Sequence, residues 1–362
     1  MIKSKPIRVA VMTPLGEGGQ GGIDRLMDEL RHYLSQNDTV DIQVSFHVTR
    51  GQGSLFLSPF LVVRLLLRLT LKFVGHGPDL LHINLSSHGS TWRKLVIARV
   101  ARLMGIAYII HLHGSGFREY WDNAHPFIAK RIKSMFFHAH QTLVLGTVWR
   151  TYILSKVPEA ATRIIILANA VPSASSHIHT PEKPVKILFL GHVGPRKGVP
   201  ELIRALADLP QDDSWQAVIA GNGQVVEMQA EIAKLGLLKH VAMPGWVGPA
   251  HVSRLLAKND ILVLPSYEEN LPMSVIEGMA HGLAVITTPV GAVEDIIQSD
   301  ITGILVPAGD SKALSLALVR LVNDYDLRVS LGKAAQDFQR SHLETKGYCI
   351  GLFKIWRDVA QS

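Results

Sequence analysis

Cysteine is nearly absent from this 362-residue chain: Cys349 stands alone. A single thiol closes no internal disulfide and builds no cysteine-based zinc site. The chain is therefore expected to fold on its core alone, in a reducing, cytosolic setting. Charge is also sparse, at 19% of residues against 47% hydrophobic, which excludes a disordered composition. The opening Met-Ile-Lys-Ser-Lys carries no apolar run of secretory-signal length.

At roughly 150 residues per domain, the length suggests two domains. Net charge is +7, and it is unevenly spread. Residues 1–180 hold 20 Lys/Arg and 10 Asp/Glu (+10), and the remaining 182 hold 17 and 20 (−3). A basic half points to an anionic partner. Apolar runs at Ile7–Pro14, Ile42–Thr49, Asp79–Leu85, Ala107–Gly114, Gln141–Gly146 and Ile164–Val171 alternate with helical stretches. Residues 172–184, rich in Pro and Ser, read as a linker. Alternation resumes at Val185–Gly191, Gln216–Gly221, His240–Gly245, Ile261–Ser266, Ala284–Thr288 and Gly303–Val306. Helical segments near Ser311–Asn323, Asp326–Ser341 and Thr345–Val359 close the chain. Runs this apolar predict parallel strands covered on both faces. The fold class is α/β: two Rossmann-like βα domains facing across a cleft. Residues 1–171 form the first, 172–184 the linker and 185–343 the second, and 344–362 form a helix returning toward the first.

Gly16-Glu17-Gly18-Gly19-Gln20-Gly21 matches G-x-G-x-x-G between a strand and a helix. A dinucleotide site also needs an acid at the end of the second strand, and Phe46-His47-Val48-Thr49-Arg50 has none. Two readings stay open: an anion-binding loop at a helix N-terminus, or simply a tight turn.

The strongest pattern is Pro265-Ser266-Tyr267-Glu268-Glu269-Asn270-Leu271-Pro272-Met273-Ser274-Val275-Ile276-Glu277. A strand should end near Pro265 and a helix begin near Pro272 or Met273. Glu269 then lies on the loop and Glu277 about a turn inside the helix. The N–H groups of Leu271, Met273 and Ser274 can face an anion, and the carboxylates can accept from hydroxyls. A nucleotide sugar offers both chemistries. The plainer alternative makes these glutamates a helix cap and a solvated face.

This segment resembles the E-x7-E region of retaining, GT-B-fold glycosyltransferases of family 4. Gly191-His192-Val193-Gly194-Pro195-Arg196-Lys197-Gly198 is similar to the family's phosphate-binding turn. Ala220-Gly221-Asn222-Gly223, Gly245-Trp246-Val247, Thr288-Pro289-Val290-Gly291 and Gly303–Asp310 fit in order. In the first half, Gly18–Gly22 and His111-Leu112-His113-Gly114 correspond. The resemblance implies that Glu269 holds donor-sugar hydroxyls, Glu277 the ribose, and Lys197 the diphosphate. Trp246 and Val247 would lie by the base. Asn222, Asn270, Leu271, Pro272 and Met273 would line the donor site, with Arg196 supplying a second cation. Gly18, Gly19, Gly21 and Gly22 would close on the diphosphate, and His113 would reach the sugar near the anomeric centre. No metal and no cofactor besides the donor is implied. The chain departs from the family pattern at His192 (usually Arg), Asn270 (usually Gly) and Asn169-Ala170-Val171 (usually Asn-Gly-Val). A neutral His192 binds phosphate less well than arginine. Asn270 is expected to take the left-handed backbone that glycine would supply.

His111 and His113 are expected to point to opposite faces, His113 to the cleft and His111 to the core. Ser58-Pro59 opens a helix running through Val74, on which Arg64, Arg68 and Lys72 form a basic stripe. Val62, Leu65, Leu66, Leu69 and Phe73 occupy the rest. It suits an interfacial anchor on anionic lipid or a helix packed on the sheet, but not a membrane span. Phe127–Phe137, with Lys130, Arg131 and Lys133, supports the same face. No nucleic-acid motif appears.

The expected activity is retaining transfer of a hexose, such as mannose or glucose, from a GDP- or UDP-linked donor. The acceptor would be a lipid-linked or exopolysaccharide glycan at the cytoplasmic face of the membrane. The alternatives are a nucleotide-sugar epimerase on the same fold and a non-catalytic nucleotide-sugar-binding scaffold.

Overall fold

The computed structural model describes residues 5–19, 21–37, 41–51, 58–70, 77–175, 177 and 179–361. Gln20 of the glycine loop, and Lys72, Phe73 and Val74 of the basic helix, lie outside the described residues. The chain divides into two compact units, Met1–Asn169 with Thr345–Ser362, and Ala170–Glu344.

The first unit runs β1 (Ile7–Thr13), α1 (Gly22–Gln36), β2 (Ile42–Val48), α2 (Ser58–Thr70), β3 (Leu80–Leu85), α3 (Gly89–Leu103), β4 (Ala107–Leu112), α4 (Phe117–Asp122), α5 (Pro126–Phe137), β5 (Gln141–Val144), α6 (Thr147–Lys156) and β6 (Ile164–Ile166). Its six strands are parallel in the order β2-β1-β3-β4-β5-β6. Every residue of β3 is buried, as a strand covered on both faces requires. Helices α2, α3 and α5 pack in sequence as one layer.

The second unit runs β7 (Val185–Leu190), α7 (Val199–Ala207), β8 (Trp215–Ala220), α8 (Val225–Lys234), β9 (Val241–Gly245), α9 (Pro249–Leu256), β10 (Ile261–Leu264), α10 (Met273–Ala280), β11 (Ala284–Thr287), β12 (Ile304–Leu305), α11 (Ser311–Asn323) and α12 (Tyr325–His342). Its parallel sheet has the order β12-β11-β10-β7-β8-β9. Residues 172–184 belong to this unit: His177 N–H donates to His281 O at 2.7 Å, and Arg328 Nη2 donates to Thr180 O at 3.3 Å. The last helix, α13 (Thr345–Gln361), packs in the first unit against α1, β1 and β3. Trp356 is buried in full, and Arg357 pins the helix by a two-pronged bond to Asp41, at 2.5 and 3.2 Å.

A histidine cluster lies beneath α13. Trp356 Nε1–H donates to His82 Nδ1 at 3.3 Å, so His82 carries its proton on Nε2, 3.3 Å from His111 Nδ1. The His111 and His113 ring centroids are 4.0 Å apart. This corrects the expectation that they diverge: residues two apart on a strand share a face. His113 Nε2 bonds Asn84 Oδ1 at 2.9 Å, and Asn84 Nδ2 donates to Met12 O at 3.0 Å. Burial lowers all three histidines, His82 and His113 to about 3 and His111 well below its ordinary value. They are neutral in the folded protein at pH 7.

The consequence is acid lability. The unfolded histidines titrate near 6.5 and the folded ones near 3, so the unfolded state binds more protons between those values. Stability is complete above pH 6.5 and falls as the pH drops through this window. At pH 5 the loss is about 2 kcal/mol for each of His82 and His113. Urea unfolding at pH 7.5 and 5.0 should show it, with a smaller loss in His82→Asn. Equal stability at both pH values would contradict the neutral cluster.

Candidate active site

In the second unit, the charged and glycine-rich loops gather at the carboxyl ends of the strands. The β7 loop holds His192, Arg196 and Lys197, and the β8 loop holds Asn222. The β9 loop holds Trp246 and Val247, and the β10 loop holds Glu269, Asn270, Leu271 and Pro272. Pro272 leads directly into α10, so Met273 opens the helix and Glu277 is its fifth residue. Open parallel α/β sheets bind ligands at this end.

Two backbone contacts fix the loops. Gly198 takes a left-handed conformation (φ +68°), and a Cβ there would fall 2.0 Å from Pro265 O. Only glycine lets the β7 turn lie this close to the end of β10. Tyr267 N–H donates to Arg196 O at 3.0 Å across the same seam, and Arg196 Nη1 donates to Glu268 O at 3.3 Å. The second contact is Gly291 (φ +64°), whose Cβ would fall 2.3 Å from Glu269 O. Ala292 N–H donates to Asn270 O at 2.7 Å. Asn270 itself is not left-handed: among the described residues, His88 and Asp300 are the non-glycine positions with positive φ. The expectation for Asn270 is corrected, because Gly291 makes the sharp turn on the facing strand end.

Three side chains interlock at the centre. Lys197 Nζ pairs with Glu269 Oε1, which also accepts from Ser266 Oγ at 2.8 Å. Lys197 is 14% exposed and Glu269 8%. Glu277 and Asn270 are likewise buried. His192 Nδ1 lies 3.2 Å from Asn222 Oδ1. Trp246 is exposed, with its indole edge beside Gly248. Lys197, Glu269 and Asn270 thus come together with the start of α10, while His192 and Asn222 meet as a second pair. Ser266 was not expected, although it lies three residues before Glu269, at the strand end.

The first unit treats its glycine loop differently. Asp24 is buried, and its Oδ1 accepts from Leu15 N–H and Gly16 N–H, both at 3.0 Å. Asp28 accepts from Gly18 N–H at 2.9 Å. Gly19 packs against the Asp24 carboxylate. Gly21 is the N-cap of α1 and Gly22 its first residue. The anion at this helix N-terminus is therefore the chain's own carboxylate, and the amides of residues 15, 16 and 18 are not open to an external one. Burial raises the Asp24 carboxyl above its ordinary value, against the two backbone bonds. Nearby, Lys94 is buried in full and donates to Thr49 Oγ1 at 2.5 Å. Burial pulls its ammonium down to about 7, with the Asp24 charge opposing. His113, half-buried just beyond β4, is bonded to Asn84 as above. Asp324-Tyr325-Asp326, an Asp-x-Asp sequence, is a helix start: Asp324 accepts from Leu327 N–H at 2.9 Å.

Two parallel α/β units, one with buried charged groups at its strand ends, define a GT-B-type architecture. Residues 173–338 match the family model described as glycosyl transferases group 1. An uncharacterised glycosyltransferase of Methanocaldococcus jannaschii is 26% identical over 79% of this chain and 77% of its own length. Phosphatidyl-myo-inositol mannosyltransferase of Mycobacterium leprae is 31% identical over 49% of this chain, which spans 47% of that relative's length. HepE of Anabaena, solved with UDP and glucose, superimposes with a TM-score of 0.75 at 17% identity, over 97% of this chain and 100% of that one. That likeness is one of fold. The second unit thus resembles the glycosyl transferases of group 1, and the chain as a whole has the fold of its GT-B neighbours.

The Gly198 contact yields a direct test. Gly198→Ala must push the β7 turn off Pro265 and should destabilise the second unit by about 1–3 kcal/mol. Urea unfolding measures it. An unchanged midpoint would show that the two turns are not locked together.

Proposed function

We propose that the chain transfers a hexose, with retention, from a nucleoside-diphosphate donor to a lipid-linked or cell-envelope glycan. The observation that carries the reading is the buried Lys197–Glu269–Ser266 cluster at the strand ends, beside Glu277. The Lys197 ammonium is balanced by the Glu269 carboxylate. A diphosphate entering at Lys197 replaces that partner, and Glu269 turns from ion-pair acceptor into acceptor for sugar hydroxyls. Charge developing on the leaving diphosphate meets Lys197, Arg196 and the first-turn N–H groups of α10. Glu277 holds the ribose hydroxyls. His113, neutral, bonds the donor sugar, and no metal takes part. HepE binds UDP and glucose, which supports a nucleotide-sugar donor; GDP-linked donors fit the same roles.

Glu277→Ala should weaken nucleotide binding by about tenfold, the loss of one charged hydrogen bond. Glu269→Gln should lower kcat by at least about a hundredfold while nucleotide affinity changes little. Calorimetry with UDP and GDP, and turnover with their sugar conjugates, separate the two effects. Wild-type values in both variants would remove these residues from the site.

A specific surface favours a membrane-bound acceptor. On α2, Val62, Leu65 and Leu69 turn inward, while Phe60 (70% exposed), Val63 and Leu67 (64%) lie outward beside Arg64 and Arg68. The exposed side of this helix is therefore apolar and basic together. Trp92, Val96 and Leu103 on α3, and Phe127 and Phe137 on α5, extend apolar exposure along the same layer. None of the described helices is long and apolar enough to cross a bilayer. Such a face suits peripheral docking on anionic lipid. Vesicle flotation should recover the protein with phosphatidylglycerol vesicles and not with phosphatidylcholine. Phe60→Asp with Leu67→Asp should reduce recovery at least about tenfold. Equal flotation of this variant would reject the surface.

A further inference from the structure

At the opposite, amino-terminal end of the second unit's sheet, His177, His179 and Asp260 converge. The histidines lie on the segment before β7, and Asp260 immediately precedes β10. The hydrogen bonds assign their ring protons. His177 Nδ1 faces Ala257 O at 3.0 Å and His179 Nε2 faces Gly282 O at 2.8 Å. A carbonyl only accepts, so each of these nitrogens carries its hydrogen. The other two ring nitrogens face inward, toward Asp260. His177 Nε2 is 2.9 Å and His179 Nδ1 3.5 Å from one atom, Asp260 Oδ1. His179 Nδ1 is buried with no hydrogen-bond partner, on a side chain 6% exposed. The other carboxylate oxygen is already taken by Lys186 N–H at 2.8 Å.

Three electron-rich atoms thus face one another within 4.8 Å, in a setting that excludes most water. Atoms of this kind, this close, share a positive centre, either a proton or a metal ion. One metal ion satisfies both lone pairs and the carboxylate oxygen at once. The backbone carbonyls then do what outer-shell partners do at metal-bound histidines: they fix the tautomer and hold the ring. A tetrahedral zinc ion with bonds of about 2.0–2.1 Å needs ligand atoms about 3.4 Å apart. The two nitrogen–oxygen separations, 2.9 and 3.5 Å, bracket that value, and all three atoms lie within 4.8 Å of one another.

We propose that His177 Nε2, His179 Nδ1 and Asp260 Oδ1 form a zinc site, completed by water, that fastens the segment before β7 to the base of the second unit's sheet. Two nitrogens and one oxygen suit zinc better than magnesium or calcium, which prefer oxygen ligands. The site lies at the other end of the strands from Lys197 and Glu269, so its role is structural and independent of the sugar-transfer proposal.

The test uses untagged, full-length protein stripped with chelator and titrated with zinc against a chromophoric competitor. The wild type should take up one equivalent and melt at a higher temperature with zinc than without. His177→Ala and His179→Ala should bind at least about a hundredfold more weakly, and the exposed control His138→Ala should match the wild type. Cobalt provides a readout that needs no variant. The cobalt-loaded wild type should show the intense visible bands of a four-coordinate ion and two exchangeable, paramagnetically shifted imidazole N–H signals. Zinc uptake equal in wild type and both variants, or six-coordinate cobalt without those signals, would overturn the site.

Discussion

A buried ammonium has to have a counter-charge, and the candidate active site is organised around that requirement. Lys197 and Glu269 come from loops on neighbouring strands, and both are largely withdrawn from water. Their desolvation cost is offset only while the two loops stay in register. The Gly198–Pro265 contact and the Gly291–Glu269 contact hold that register through backbone, which cannot relax as a side chain can. The pair thus offers the proposed donor a cation and a carboxylate acceptor held side by side.

The first unit meets the same physical demand with the opposite solution. Its glycine loop has the spacing of a phosphate cradle, yet Asp24 and Asp28 fill the anion position from within the following helix. Its histidines are kept neutral by burial and by the hydrogen bond from Trp356. The first unit balances its loop with acids of the following helix, and the second balances Lys197 with a glutamate from the neighbouring strand's loop.

The strand order of events was readable from residues because period and composition are local properties. Every apolar run expected as a strand is one, and the helix start at Met273 follows from Pro272. The E-x7-E spacing placed Glu269 on a loop and Glu277 in a helix for the same local reason. Partnerships made across strands were not readable. Ser266 and Glu269 are near in sequence, but the Lys197 contact spans 72 residues. The left-handed turn assigned to Asn270 belongs to Gly291, and a single sequence holds no record of which backbone approaches which. His111 and His113 were a different failure: strand geometry already required them to share a face.

His177 and His179 show how composition can mislead. A Pro- and Ser-rich stretch reads as linker because it lacks large aliphatics, and that inference considers only hydrophobic burial. These residues are fixed by polar chemistry instead, with Ala257, Asp260 and Gly282 as partners. The same unit thus uses the two ends of one sheet differently. At the carboxyl ends, the charges of Lys197 and Glu269 sit on loops. At the amino end, Asp260 is tied to Lys186 through backbone on both sides, N–H to carbonyl and carboxylate to N–H. A group so constrained cannot move with a substrate. It can hold the chain entering β7 still, so that the β7 turn carrying Lys197 has a fixed origin.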